Sequence, residues 1–374
     1  MSTSKFSRPA SSHLEPDRIR IARMRRGLTK IELARRLSVT PRTVTKYESG
    51  DAPVNAAQAL AEALDFPASY FHRAEISMFE APEVSFRAAR RATARERDSA
   101  VAAGVSGVEI DRWISTQFVL PTVDLPTFAG EKPKMAAGLL RGLWGLGTKP
   151  LPNLVQLCES RGIRVYSLPP IADAVDAYSI WRAEVPYVFL ARRKTPERIR
   201  FDLAHELGHL VLHGFDSEES AAHEREADAF ASELLIPAAS VVEYLRQNPS
   251  VDELLSVRSQ FKVSAMSLAY AAHKAGRMSD WAYRQTCIEL SQRGFRRGEP
   301  GGMPNYEMSR VFPQVLAGGR SSKVSARVIA DDLDLPLSDV HALTFGVELR
   351  AAQSTEVTSD TSRRPPTRRH LRAV

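Results

Sequence analysis

Phe201-Asp202-Leu203-Ala204-His205-Glu206-Leu207-Gly208-His209-Leu210-Val211-Leu212-His213 is a run with periodic apolar positions and His-Glu-x-x-His inside it. The period predicts a helix, and residues four apart on a helix share a face. His205 and His209 can therefore present both imidazoles to one metal ion, with Glu206 placed to draw a proton from a water beside it. A catalytic zinc needs three protein ligands and one open position. The third comes from a second run, Glu224-Arg225-Glu226-Ala227-Asp228-Ala229-Phe230-Ala231-Ser232-Glu233-Leu234-Leu235-Ile236-Pro237. It reads as a helix stopped at Pro237, with Ala227, Phe230, Ala231, Leu234 and Leu235 on one stripe and acids in its first turn. Glu224 is the expected third ligand. Asp228, one turn later on the same face, is expected to hydrogen-bond a ligand histidine.

Glu-x-x-x-Asp after His-Glu-x-x-His is the spacing of the zincins whose third ligand is glutamate. The class with a third histidine needs glycine and histidine where this chain has Leu212 and Phe215, so it is excluded. Glu226 projects about 200° around the helix from Glu224, at roughly 100° per residue, and reads as a solvated or structural carboxylate. His213 lies two turns past His205, about 12 Å along the axis, too far to ligate the same ion. It is expected to be packed or to face substrate, and His223 is expected to be exposed.

A chain of 374 residues has room for two or three domains with real cores. Cys158 and Cys287 lie far apart without metal spacing, which argues against a disulfide framework and for a reducing compartment. Residues 1–17 are polar, unlike a signal peptide, and no apolar run approaches the ~20 residues of a membrane span. A cytoplasmic protein with no membrane partner is expected. The net charge of +7 is unevenly spread: residues 1–50 hold twelve Lys/Arg against four Asp/Glu. A second basic run, Arg363, Arg364, Arg368, Arg369 and Arg372, lies in a Ser/Thr/Pro-rich tail that reads as disordered, its charge solvated.

The basic N-terminal stretch has a helical pattern over 18–24, ending near Gly27. Thr29 caps a second helix over 30–37, with Glu32 at the capping-box position. Thr40-Pro41 opens a third over 41–49, stopped at Gly50. Two short helices joined by a tight turn, with Ile31, Leu33, Ala34, Leu37, Val39, Val44 and Tyr47 inward, make a helix-turn-helix. Its third helix would enter the major groove of double-stranded DNA, presenting Arg42, Thr43, Thr45 and Lys46, with Thr40 at its cap. Arg42 is the best base reader, because arginine can grip guanine bidentately. Lys30 and Lys46 suit phosphate contacts, and Glu48 suits an internal pair with a basic residue of helix one or two. Segments 55–64 and 68–71 complete a five-helix domain, and a homodimer reading two half-sites is the usual arrangement.

Farther on, 85–103 and 108–118 suggest a connecting helical segment. A helix over 135–144 would place Ala136, Leu139, Leu140 and Leu143 inward, and another begins at 154. Short strands at 164–166, 177–181 and 187–190 precede the His-Glu-x-x-His helix, which is the outline of a minimal zincin. There zinc would supply Lewis acidity and Glu206 the base, and Tyr178, Tyr187 and His213 are the candidate donors to a developing oxyanion. Helices over 241–244, 251–260 and 264–275, a flexible 294–302, and two short helices over 325–333 and 338–343 follow. The last two have helix-turn-helix rhythm, but the second is acidic and lacks arginine, so a structural cap is the better reading.

The stretch 27–50 (GLTKIELARRLSVTPRTVTKYESG) resembles the Cro/cI (XRE) type of helix-turn-helix. The block 189–237 resembles the ImmA/IrrE metallopeptidases, and the two together resemble the fused form. The resemblance implies zinc (Zn2+) held by His205, His209 and Glu224, with Glu206 catalytic. Its implied role is regulated cleavage of a repressor-type protein in stress response or mobile-element control. Asp228 stands where that family often has Asn, and either can hydrogen-bond. The expected fold is mainly α with a small β-sheet (α+β). A lambda-repressor-like domain at 16–75 follows a flexible 1–15, and a helical connector spans 76–134. The zincin-like domain occupies 135–280, a helical region 281–352, and the basic tail 353–374. The alternative is a helix-turn-helix repressor, antitoxin-like, whose zincin fold senses or binds a partner without hydrolysis.

Overall fold

The computed structural model describes residues 13–79, 85–86, 92–172, 174–214, 220–316, 324–345 and 369–370. The N-terminal module consists of α1 (Pro16–Arg25), α2 (Lys30–Arg36), α3 (Pro41–Tyr47), α4 (Ala57–Leu64) and a 3-10 turn at Ala68–His72. Thr29 and Glu32 form the expected reciprocal capping box, and the Thr40 side chain accepts from the Thr43 amide. α3 stops at Tyr47, two residues short of expectation, and the Ser49 hydroxyl turns back to the Thr45 carbonyl. Ile31 is 54% exposed rather than inward. It stands about 200° around the helix from Leu33, and Leu33 with Ala34 sets the buried face of α2.

Next come β1 (Ser85–Phe86), α5 (Ala94–Gln117), β2 (Phe118–Val119), α6 (Pro133–Leu143), α7 (Leu154–Ser160), β3 (Arg164–Ser167), β4 (Ala177–Arg182) and β5 (Val185–Leu190). α5 runs unbroken through Gly104 and Gly107 and lies on one face of a mixed sheet ordered β1-β4-β5-β3. β5 is parallel to β3 and antiparallel to β4, and β1 is antiparallel to β4. A Cβ on Gly104 would stand 2.0 Å from the Tyr178 hydroxyl, so only glycine lets α5 seat there. α8 (Pro196–Leu212) covers the opposite face, and α9 (Ala221–Leu235) packs on α8. Helix, sheet, helix pair is the layering that holds the site. On α6 the buried residues are Ala136, Ala137, Leu140 and Arg141, while Leu139 and Leu143 are exposed, contrary to expectation. The cause is Arg141, whose buried guanidinium donates to the carbonyls of Gly147, Lys149 and Leu234 and rotates the inward face toward itself.

The C-terminal third comprises α10 (Ala238–Tyr244), α11 (Val251–Phe261), α12 (Ala265–Lys274), α13 (Asp280–Gln292), α14 (Val311–Leu316), α15 (Ala326–Leu333) and α16 (Leu337–Leu343). α13 falls in the region expected to be helical, but no bounds could be read for it, because it buries only Thr286 and Leu290 and so carries almost no apolar stripe. The stretch expected to be flexible is tied down: Glu299 accepts from Arg258 at 3.0 Å and from the Ala265 amide at 3.2 Å. The acidic α15–α16 pair packs on α5 and reaches the N-terminal module. Asp339 pairs with Arg25 and Arg26 (3.0 and 2.9 Å), and Asp334 pairs with Arg73 at 2.9 Å. The tail expected to be disordered lies outside the described residues, except β6 (Arg369–His370), which pairs in parallel with β2. Among the described residues no helix is long and apolar enough to cross a membrane.

Candidate functional site

α9 can approach α8 closely because position 208, inside the His-Glu-x-x-His segment, is glycine. A Cβ there would stand 3.1 Å from the Ala227 Cα. That approach carries the first turn of α9 over the two histidines. The His205, His209 and Glu224 donor atoms all lie within 4.8 Å of one another. His205 Nε2 and His209 Nε2 are 3.0 Å apart, and Glu224 oxygens lie 3.6 and 3.1 Å from them. Three ligands about 2.1 Å from one tetrahedral ion would stand roughly 3.4 Å apart, so the set fits a zinc-sized ion. Burial would raise the Glu224 pKa, but hydrogen bonds and charge from His205 and His209 outweigh it and hold the carboxyl well below its usual range. Asp228 Oδ1 lies 2.9 Å from His205 Nδ1, the second-tier contact that fixes a ligand imidazole.

Glu206 is fully buried between α8 and β4, and its Oε2 accepts from the Ser179 hydroxyl at 2.7 Å. Ser179 was not foreseen. Its signal is the strand alternation: Tyr178 points to α5, so its neighbour points to α8. The same alternation removes two expected oxyanion donors. The Tyr178 hydroxyl donates to the Ala100 carbonyl at 2.8 Å, and Tyr187 donates to Asp111 at 2.9 Å, both buried on the α5 side. His213, the third, caps α8 with its Nδ1 3.1 Å from His209 Nδ1 and its Nε2 3.0 Å from Glu226. His223 is half-buried, not exposed, because it stacks on His213 with ring centroids 4.2 Å apart. A cleft of about 790 Å³ runs from Asp228 along α9 to α12, lined by Phe201, Arg225, Met266, Tyr270 and Tyr283.

At the other end of the chain, α3 presents Arg42, Thr45 and Lys46 to solvent, with Thr43 half-buried. Arg42 and Lys46 make no hydrogen bond or ion pair to another described residue. The Thr40 and Thr43 hydroxyls bond each other at 2.9 Å, and Thr45 bonds the Pro41 carbonyl, so these three serve the helix as well as its surface. Lys30 reaches Thr45 at 3.4 Å and Glu48 at 3.5 Å, which places its ammonium beside α3. Glu48 also holds Arg23 of α1, the internal pair expected of it.

Comparison with protein families finds matches for the helix-turn-helix module and for the segment that holds the histidines. Residues 158–273 match the model of the M78 peptidases described as the IrrE N-terminal-like domain, and residues 19–71 match a helix-turn-helix model. A search of curated proteins finds no match to the chain.

Proposed function

We propose that this chain, which joins a helix-turn-helix domain to an IrrE N-terminal-like domain of the M78 peptidases, is a DNA-binding transcriptional regulator with a zinc-dependent endopeptidase. Its substrate is a repressor-type protein, and its setting is stress response or mobile-element control. The observation that carries the peptidase reading is the convergence of His205, His209 and Glu224, with the buried Glu206 next to His205 in the chain. Zinc bound there supplies Lewis acidity. Glu206, oriented by Ser179, takes the proton of the attacking water and passes it to the leaving amine. The cleft along α9 receives the polypeptide. We assign metal binding to His205, His209 and Glu224, orientation of His205 to Asp228, and DNA contact to Lys30, Thr40, Arg42, Thr43, Thr45 and Lys46.

Metal analysis of the purified chain tests the centre, and a quenched fluorescent peptide library tests turnover. One zinc per chain is expected. Glu224→Ala should weaken zinc at least a hundredfold, roughly one ligand's share of the ~10–16 kcal/mol of a four-ligand site. Zinc without cleavage of any peptide or repressor would favour the second reading, a repressor whose zincin fold senses or binds a partner. The complete enclosure of Glu206 is the observation on that side.

The DNA arm is tested by fluorescence anisotropy against a duplex selected from a random pool. Arg42→Ala should cost about 1–3 kcal/mol and relax preference at one base pair. Lys46→Ala should weaken all duplexes alike and reduce the salt slope by about 0.9. Equal losses on selected and random duplexes for Arg42→Ala would remove it from base reading.

A further inference from the structure

A second group of possible donors lies beside the first: His213, His223 and Glu226, with donor atoms within 4.8 Å of one another. It invites assignment as a second metal site. Counting protons leads elsewhere.

His209 directs Nε2 toward His205 Nε2 and Glu224, at 3.0 and 3.1 Å, so Nε2 is the nitrogen available to the ion. A neutral imidazole that gives Nε2 to a metal carries its proton on Nδ1. That Nδ1 lies 3.1 Å from His213 Nδ1, which must therefore accept. A neutral His213 accepting at Nδ1 carries its own proton on Nε2, and Nε2 lies 3.0 Å from Glu226 Oε2. Every donor in the row meets an acceptor. A second ion on His213 Nε2 would shift that ring's proton to Nδ1, and two N–H groups would then face each other across 3.1 Å. The stacked His223 ring packs against His213 at a 25° interplanar angle and restrains its rotation.

We infer that His213 and Glu226 are positioning residues that orient His209 for the metal through a Glu226–His213–His209 hydrogen-bond row, and that the second cluster holds no ion. The inference rests on the metal-centre reading above. The two ligand histidines are then supported differently. His205 has a carboxylate directly, Asp228 at 2.9 Å, whereas the carboxylate for His209 stands one imidazole farther out. His213 connects the two because it caps α8 one turn after His209. Outer partners of metal-bound imidazoles are worth about 10–100-fold in metal affinity.

The experiment measures zinc affinity by competition with a chromophoric chelator, zinc stoichiometry, and the visible spectrum of the cobalt-substituted protein. The samples are the full-length wild type, His213→Phe, His213→Gln and Glu226→Ala, with the melting temperature of each metal-free form recorded. His213→Phe should bind zinc between ten- and a hundredfold more weakly, with a shifted cobalt spectrum. Glu226→Ala, on the half-exposed face of α9, should show a smaller loss in the same direction and serves if His213→Phe does not fold. His213→Gln should bind within about threefold of wild type, because its carboxamide both accepts from His209 and donates to Glu226. Wild-type affinity and spectrum in both His213→Phe and Glu226→Ala would overturn the inference while leaving the centre intact. Two zinc ions per wild-type chain, falling to one in His213→Phe, would overturn it in favour of a second site. A wild type that binds no zinc would overturn the centre itself and this inference with it.

Discussion

Glu206→Gln is expected to keep one zinc per chain and to lower turnover of a cleaved peptide by roughly 10²–10⁴-fold, the contribution of a positioned acid–base group. The substitution conserves shape, and the carboxamide oxygen can still accept from the Ser179 hydroxyl, so the packing between α8 and β4 is retained. What is lost is basicity at a buried position of α8 that follows His205 directly and is not one of the three clustered donors. Metal analysis and peptide turnover on the same sample check it. Undiminished turnover would take Glu206 out of proton transfer, and lost zinc would mean that its carboxylate belongs to the ligand set.

Arg200→Ala is expected to destabilise the chain by about 3–5 kcal/mol, as breaking a buried ion pair does. Arg200 lies in α8 one turn before the site and is 2% exposed. Its guanidinium donates to the carbonyls of Leu151 and Pro152 at 3.0 and 2.8 Å and pairs with Glu307. Glu307 also accepts from the Leu154 amide at 3.0 Å, so one cation ties α8, the start of α7 and the irregular stretch before α14 together. Alanine leaves a buried carboxylate uncompensated and two carbonyls without their donor. Urea denaturation of the metal-free protein gives the loss directly, free of any contribution from zinc binding. Arg200→Ala together with Glu307→Gln should recover part of it, because the stranded charge is gone. A loss under about 1 kcal/mol for Arg200→Ala alone would mean that water enters to replace the guanidinium.

Much of this arrangement is legible in the sequence where local rules act alone. Thr29, Glu32, Thr40 and Pro41 mark helix starts by capping chemistry, and the structure has those caps where the residues stand. Helical spacing pairs His205 with His209 and Glu224 with Asp228, each on one helix face, and the structure brings the two pairs together. What was hidden depends on contacts between distant segments. Leu139 and Leu143 match an inward stripe by period, but burial of Arg141 against the end of α9 turns α6 the other way. Ser179 becomes meaningful only once β4 is known to face α8, and Tyr178 and Tyr187 lose their expected role for the same reason. His223 reads as exposed by position and is covered by a ring ten residues upstream. Spacing along one helix carries no information about which face another element will cover.

The pairing of Arg25 with Asp339 also has a consequence in time. The two residues are 314 positions apart. At about 5–20 residues per second, Asp339 leaves the ribosome roughly 16–60 s after Arg25. The N-terminal module has its own caps and core, so it can take shape well inside that interval, while Arg25, Arg26 and Arg73 still lack these carboxylate partners. Only when α15 and α16 arrive do Asp334 and Asp339 cover those charges. A nascent chain therefore displays a more cationic helix-turn-helix module until α15 and α16 are made, and their arrival withdraws that excess charge.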